Sequence, residues 1–184
     1  DWHRGIILAP GGEFNPTSSS KNHDVDVTAS LQALAATGAN HVKLIWTWYQ
    51  DNVVNATTIY PITPTDDSSS NSTSSSALVS CTTSQLQRAL TLAQRVGLRV
   101  TLCPLVDPNW DMPEVNQRSS SATRSEIGSQ FTRADWTKWF ASYQSFILPY
   151  VAMASSYSSS VDLVEIANGL DKALLQKQEM TDLI

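Results

Sequence analysis

Charge is scarce in this sequence. Asp, Glu, Lys and Arg make up 16% of the 184 residues, against about 25% in typical soluble domains. The net charge is −5 and no basic block occurs, so nothing here recruits nucleic acid or an anionic membrane surface. Long apolar runs are missing too. None approaches the roughly 20 residues that span a bilayer. Glycine patterns are equally sparse: Gly11-Gly12 is not a dinucleotide fingerprint, no phosphate-binding loop follows a strand, and no G-x-S-x-G elbow offers a serine nucleophile. His3, His23 and His41 show no metal-ligand spacing, so neither a metal nor another cofactor is expected. Cysteine is limited to Cys81 and Cys103, which are either a candidate disulfide or two separate buried thiols.

Serine fills the space that charge leaves, in runs such as TSSSK, DDSSSNSTSSS and RSSSATRS. The run over 66–76 buries no apolar area and is expected to be a flexible, solvated loop. Two glycosylation sequons, Asn55-Ala56-Thr57 and Asn71-Ser72-Thr73, lie in loop-like sequence, while Asn15 is excluded by Pro16. With low charge and six tryptophans, these features point to a secreted or cell-surface glycoprotein. The opening residues DWHRGIILAP carry no export-signal pattern, so any such signal is expected to be removed or to precede them.

Hydrophobic periodicity alternates between strands and helices. GIILAP, HVKLIWTWY, LRVTLCPLVD and VDLVEIAN read as strands. TASLQALAATG reads as a helix closed by Gly38. TTSQLQRALTLAQRVG reads as a helix with a Thr82/Gln85 capping box and a stripe of Leu86, Ala89, Leu90, Ala93 and Val96. TRADWTKWFASYQSFILPYVAMASSY carries a second capping signal at Thr132 and Asp135. Its stripe is Trp136, Trp139, Phe140, Tyr143, Phe146, Ile147 and Tyr150, with a kink or break expected at Pro149. KALLQKQEMTDLI starts a further helix, with Asp171 as its expected N-cap.

This βα repetition implies a single α/β domain over 1–184 with a parallel sheet and right-handed crossovers. Joints from helix to strand are short. Those from strand to helix are long, at about 11–27, 50–81 and 106–131, and in parallel α/β folds function sits on those joints. An open doubly wound sheet is one architecture that fits. The other is the first four units of a (β/α)8 TIM barrel. A barrel needs about 250 residues, so its remaining strands would come from further sequence or a second copy.

GANHVKLIWTWYQDN, TTSQLQRALTLAQRVGLRVTLCPLVD, WTKWFASYQSFILPYVAMA and VDLVEIANGLDKA together resemble the mannanase-like glycoside hydrolases of family 113, in the clan of retaining (β/α)8 glycosidases. The resemblance runs from about Gly5 to Ile184 and covers the first four βα units. It implies two carboxyl groups about 5–5.5 Å apart, one an acid/base and one a nucleophile. The acid/base position falls on Gly169, and the nucleophile belongs to a seventh strand beyond this sequence. Asn168, which steadies the substrate near its 2-hydroxyl in the clan, is kept. On the third strand the family's Lys-Pro-His before an acid becomes Cys103-Pro104-Leu105-Val106-Asp107.

Glycine has no proton to give, and general acid–base help is worth about 10²–10⁴-fold in rate. The expected function is a non-catalytic domain that binds a β-linked hexose polymer or serves as a scaffold among other subunits of an extracellular assembly. The alternative is an active retaining endo-β-mannanase. Glu165 shares alternation with Gly169 and is expected deeper in the sheet, paired with Lys43. Asp107 either binds sugar or anchors the following loop. Trp46, Trp48 and Tyr49 end the second strand and Trp110 follows the third. Trp46, Trp48 and Trp110 are the aromatic candidates for a sugar face, with core packing as the competing role.

Overall fold

A computed structural model describes residues 5–8, 23–63, 80–109 and 124–183. Four strands, β1 (Gly5–Leu8), β2 (His41–Gln50), β3 (Arg99–Pro108) and β4 (Val161–Val164), form one sheet in the order β1-β2-β3-β4. Helix α1 (His23–Ala36) joins β1 to β2, α2 (Thr83–Arg95) joins β2 to β3, and α3 (Arg133–Ser156) joins β3 to β4. Two short helices, α4 (Asp171–Leu174) and α5 (Lys177–Leu183), follow.

β1 runs parallel to β2, and β3 parallel to β4. Arg99 N donates to Asn40 O and Asn109 N to Gln50 O, a constant offset that makes β2 and β3 parallel as well. The strictly sequential order decides between the two architectures. A doubly wound sheet reverses its order at a switch point; this one adds each strand beside the last, as a barrel does. The fold is a run of parallel βα repeats from a partial (β/α)8 barrel.

The chain divides into two compact units. The first comprises Asp1–Trp46, Cys81–Leu105 and Gln144–Asn168. Alternation on β2 sets its layering: Val42, Leu44 and Trp46 are buried, while Lys43 and Ile45 are only part-buried. The buried face is the helix side, since the Trp46 and Tyr150 rings lie 4.6 Å apart. α2 presents Leu86, Ala89, Leu90 and Ala93 to this core. Its capping box forms as expected, with Gln85 N donating to Thr82 Oγ1 at 3.2 Å and Thr82 N to Gln85 Oε1 at 2.7 Å.

The second unit comprises Thr47–Ser80, Val106–Tyr143 and Gly169–Ile184, which take in most of the long strand-to-helix joints. Its core is aromatic: Trp139 stacks on Tyr143 at 5.0 Å and meets Trp136 and Phe140 edge-on. Gln50 is fully buried here. Its Oε1 accepts from Trp139 Nε1 at 2.9 Å and its Nε2 donates to Asn52 O, so both ends of the amide are satisfied.

Five expectations change. α1 starts at His23, ahead of its apolar-periodic residues. The break allowed for at Pro149 does not occur, α3 running through it as one helix: a proline removes one i→i−4 bond, and the buried stripe from Trp136 to Tyr150 holds the helix across the gap. KALLQKQEMTDLI divides into α4 and α5 around Leu175 and Gln176. Asp171 is the first helical residue of α4 rather than its cap, since the cap position is Leu170 with no side-chain bond. β4 stops at Val164, although Glu165 N still donates to Leu102 O at 2.7 Å. Beyond it the backbone leaves extended geometry, with Ala167 at φ 60° and Gly169 at φ 70°.

Between Val100 and Thr101 the β3–β4 register slips by one, so Val100 faces Val161 but Thr101 faces Leu163. The surplus residue is Asp162, a β-bulge. The run over 66–76 lies outside the described residues.

Replacing Gln50 with Leu orphans the buried Trp139 N–H and is expected to cost about 1–3 kcal/mol, read as a lower urea midpoint with an unchanged slope.

Candidate functional site

In the first unit, the face of the sheet away from the helices is polar. Lys43 on β2 donates from Nζ to both Glu165 oxygens, at 2.6 and 2.7 Å. Cys103 Sγ on β3 donates to Glu165 Oε2 at 3.2 Å, and Asn168 Nδ2 donates to the same oxygen at 2.8 Å. The expected Lys43–Glu165 pair is therefore present. It is not deeply buried: the two side chains keep 25% and 29% of their exposure.

Desolvation pushes the Glu165 carboxyl up, but the bonds from Lys43, Asn168 and Cys103, with the lysine charge, outweigh it and hold the group below the ordinary carboxylate range. The same carboxylate bond raises Lys43 above the usual lysine value against the opposing effect of burial. A carboxyl held ionised in this way is a poor proton donor. Asn168, assigned to substrate by resemblance, gives one of its two amide N–H groups to Glu165.

The candidate disulfide is not formed. Cys81 and Cys103 are both free and buried. Cys81 Sγ donates to Thr82 O at 3.4 Å, and burial pushes its thiol up to about 12. His41 is buried, its Nε2 sharing a hydrogen bond with Thr101 Oγ1 at 2.6 Å and its Nδ1 lying 3.8 Å from Asp162 Oδ2. Asp162 also accepts from Arg99 Nε at 2.9 Å. Among the described residues, no group of three or more His, Cys, Asp or Glu could hold a metal ion.

In the second unit, Asp107 lies on β3, where it was expected either to bind sugar or to anchor the following loop. It takes a bidentate ion pair from Arg124, Nε to Oδ1 at 2.5 Å and Nη2 to Oδ2 at 3.0 Å, and so anchors the segment after β3. Arg124 belongs to a short 3₁₀ turn, Arg124–Glu126, inside a serine-rich stretch with no periodicity to flag it. Gly169 is exposed. A Cβ built on it would meet Arg124 Cβ and Cδ at 3.5 Å, in a left-handed backbone that side chains rarely adopt. The position assigned to an acid is thus bordered by an arginine stem.

Trp46 departs from its expected sugar-binding role. It is 3% exposed and its ring lies against Tyr150. Period two puts Trp48 on the same strand face, half-buried in the second unit. Trp110 and Asn71 lie outside the described residues, whereas Asn55 is exposed.

Sequence reasoning missed one polar group in the second unit. Tyr60 OH donates to Asp51 Oδ1 at 2.6 Å and accepts from Asn109 Nδ2 at 3.0 Å. Burial first, and then the bond to Asp51, raise the phenol above its ordinary value. Asp51 and Asn109 are the first residues past β2 and β3, a positional signal that parallel topology could have supplied.

The sequence profile of Glycoside Hydrolase Family 113 matches residues 14–184. No curated protein matches the chain. Among solved structures, a GH113 β-1,4-mannanase complex is similar at TM-score 0.67 and 16% identity, covering 97% of this chain and 48% of that one. A second GH113 β-1,4-mannanase structure has a TM-score of 0.64 at 16% identity, covering 98% of this chain and 50% of that one. The GH113 β-mannanase AaManA from Alicyclobacillus acidocaldarius, in complex with ManMIm, has a TM-score of 0.64 at 17% identity, with 98% and 48% covered. The chain therefore spans about half the length of the structures it matches.

The ion pair sets a pH window. Glu165 is depressed, so its contribution is present above its unfolded value of about 4.3 and lost as pH falls through the folded value. Lys43 is raised, so its contribution is present below about 10.4 and lost as pH climbs through the folded value. The stability gap between wild type and Glu165→Gln is expected to be widest between these limits and to shrink at both ends, as read from urea midpoints across pH.

Proposed function

Because this chain belongs to Glycoside Hydrolase Family 113, we propose that it is a glycoside-hydrolase-like domain that holds a β-linked hexose polymer without cleaving it. The observation that carries this reading is Gly169. The seat that the resemblance assigns to the proton donor has no side chain, and its backbone φ is +70°. Glu165, just past β4, is held ionised by Lys43, Asn168 and Cys103. The structural relatives are β-1,4-mannanases, so a β-1,4-linked mannose chain is the first ligand to test. Exposed Asn55 in its sequon, the serine-rich runs and the low charge support a secreted or cell-surface glycoprotein, with carbohydrate or neighbouring subunits of an extracellular assembly as partners.

The direct experiment offers purified full-length protein β-1,4-mannan and follows both retention on the polymer and release of reducing ends. Retention without release is expected. Release at an ordinary enzymatic rate would establish the endo-β-mannanase alternative instead.

Gly169→Glu is expected to leave turnover at background. An L-residue in this left-handed geometry costs about 1–2 kcal/mol, and its carboxyl would grow out against the Arg124 stem. A rise in turnover by orders of magnitude would show that the missing acid alone silences the site.

A further inference from the structure

We propose that Asp51, Tyr60 and Asn109 form a saccharide-binding subsite, which rests on the reading of the domain as a carbohydrate holder. The phenol proton of Tyr60 goes to Asp51 Oδ1, and one phenol lone pair takes Asn109 Nδ2. What remains outward on these oxygens is acceptor capacity: the second lone pair of the phenol and the exposed Asp51 carboxylate. Among the described residues, Tyr60 is the hydrogen-bond partner of that carboxylate. The matching ligand is rich in hydroxyl donors, and an acidic one is disfavoured. A pyranose brings vicinal hydroxyls to a carboxylate and a C–H face to a phenol ring.

The group is also fixed in advance. Tyr60 is tied to Tyr49 by two backbone bonds of 2.8 and 2.9 Å, and Asn109 N donates to Gln50 O at 2.7 Å. Gln50 is fully buried and clamped by Trp139 and Asn52. The Asn52 side chain in turn accepts the backbone N–H groups of Val54 and Asn55, at 2.9 Å each, and of Ala56 at 3.3 Å, which shapes the loop leading to Tyr60. Little ordering is left to be done on binding. The group stands just past two strand C-termini, where parallel α/β folds take their ligands.

The test titrates full-length protein with mannohexaose by calorimetry, comparing wild type, Asp51→Asn and Tyr60→Phe. Asp51→Asn keeps an acceptor for the phenol and removes the charge, and Tyr60→Phe keeps the ring and removes the hydroxyl. Each is expected to weaken binding about tenfold or more, with the Asp51→Asn thermal midpoint unchanged because the residue is exposed. Wild-type binding that both variants match would overturn the subsite and leave the carbohydrate reading standing. Absence of wild-type binding would overturn both. Should Tyr60→Phe fail to fold, Asp51→Asn alone decides.

Discussion

One carboxylate organises the polar side of the first unit. Glu165 collects hydrogen bonds from β2, from β3 and from the turn after β4, through Lys43, Cys103 and Asn168. Removing Lys43 alone would leave an uncompensated charge at a part-buried site, which is why such pairs tolerate loss of one partner poorly even where their net contribution is modest. The pair also limits chemistry. A carboxylate that must stay ionised to hold three elements together is not available to protonate a leaving group. The neighbouring candidate, Gly169, has no side chain at all.

The second unit repeats this economy with different residues. Asp107 is committed to Arg124, and Gln50 is committed to Trp139. Both interactions tie irregular backbone to regular elements. In the described parts of the joints after β2 and β3, these polar contacts act beside the buried side chains of Val53, Ile59 and Ile127. Their described parts include the tied phenol of Tyr60 after β2 and the Arg124 turn after β3.

Much of the fold was legible because it follows from periods. The even-numbered face of β2, the stripe of α2 and its Thr82/Gln85 box, and the apolar stripe of α3 are all consequences of 2.0 and 3.6 residue repeats. The pairing of Lys43 with Glu165 followed from alternation plus the cost of an unpaired charge. What lay outside reach was whatever depends on the tertiary turn of irregular backbone. Nothing local to Arg124 points to Asp107, and nothing local to Tyr60 points to Asp51 and Asn109. The early end of β4 was hidden because VEIAN reads as a continuous strand, although Ala167 takes a left-handed φ. Trp46 was misplaced because a tryptophan near a strand's end looks the same whether its ring meets solvent or Tyr150.

The slip between Val100 and Thr101 has an effect out of proportion to its size. Ahead of it the partners differ by 61 in number, and after it by 62. Only the second offset sets Glu165 abreast of Cys103 and on the side where Lys43 waits. The cluster is therefore a matter of parity. Substitutions within β3 or β4 can be absorbed one at a time, but a strand that kept the first offset throughout would set Val164 abreast of Cys103 and turn Glu165 away from the ammonium.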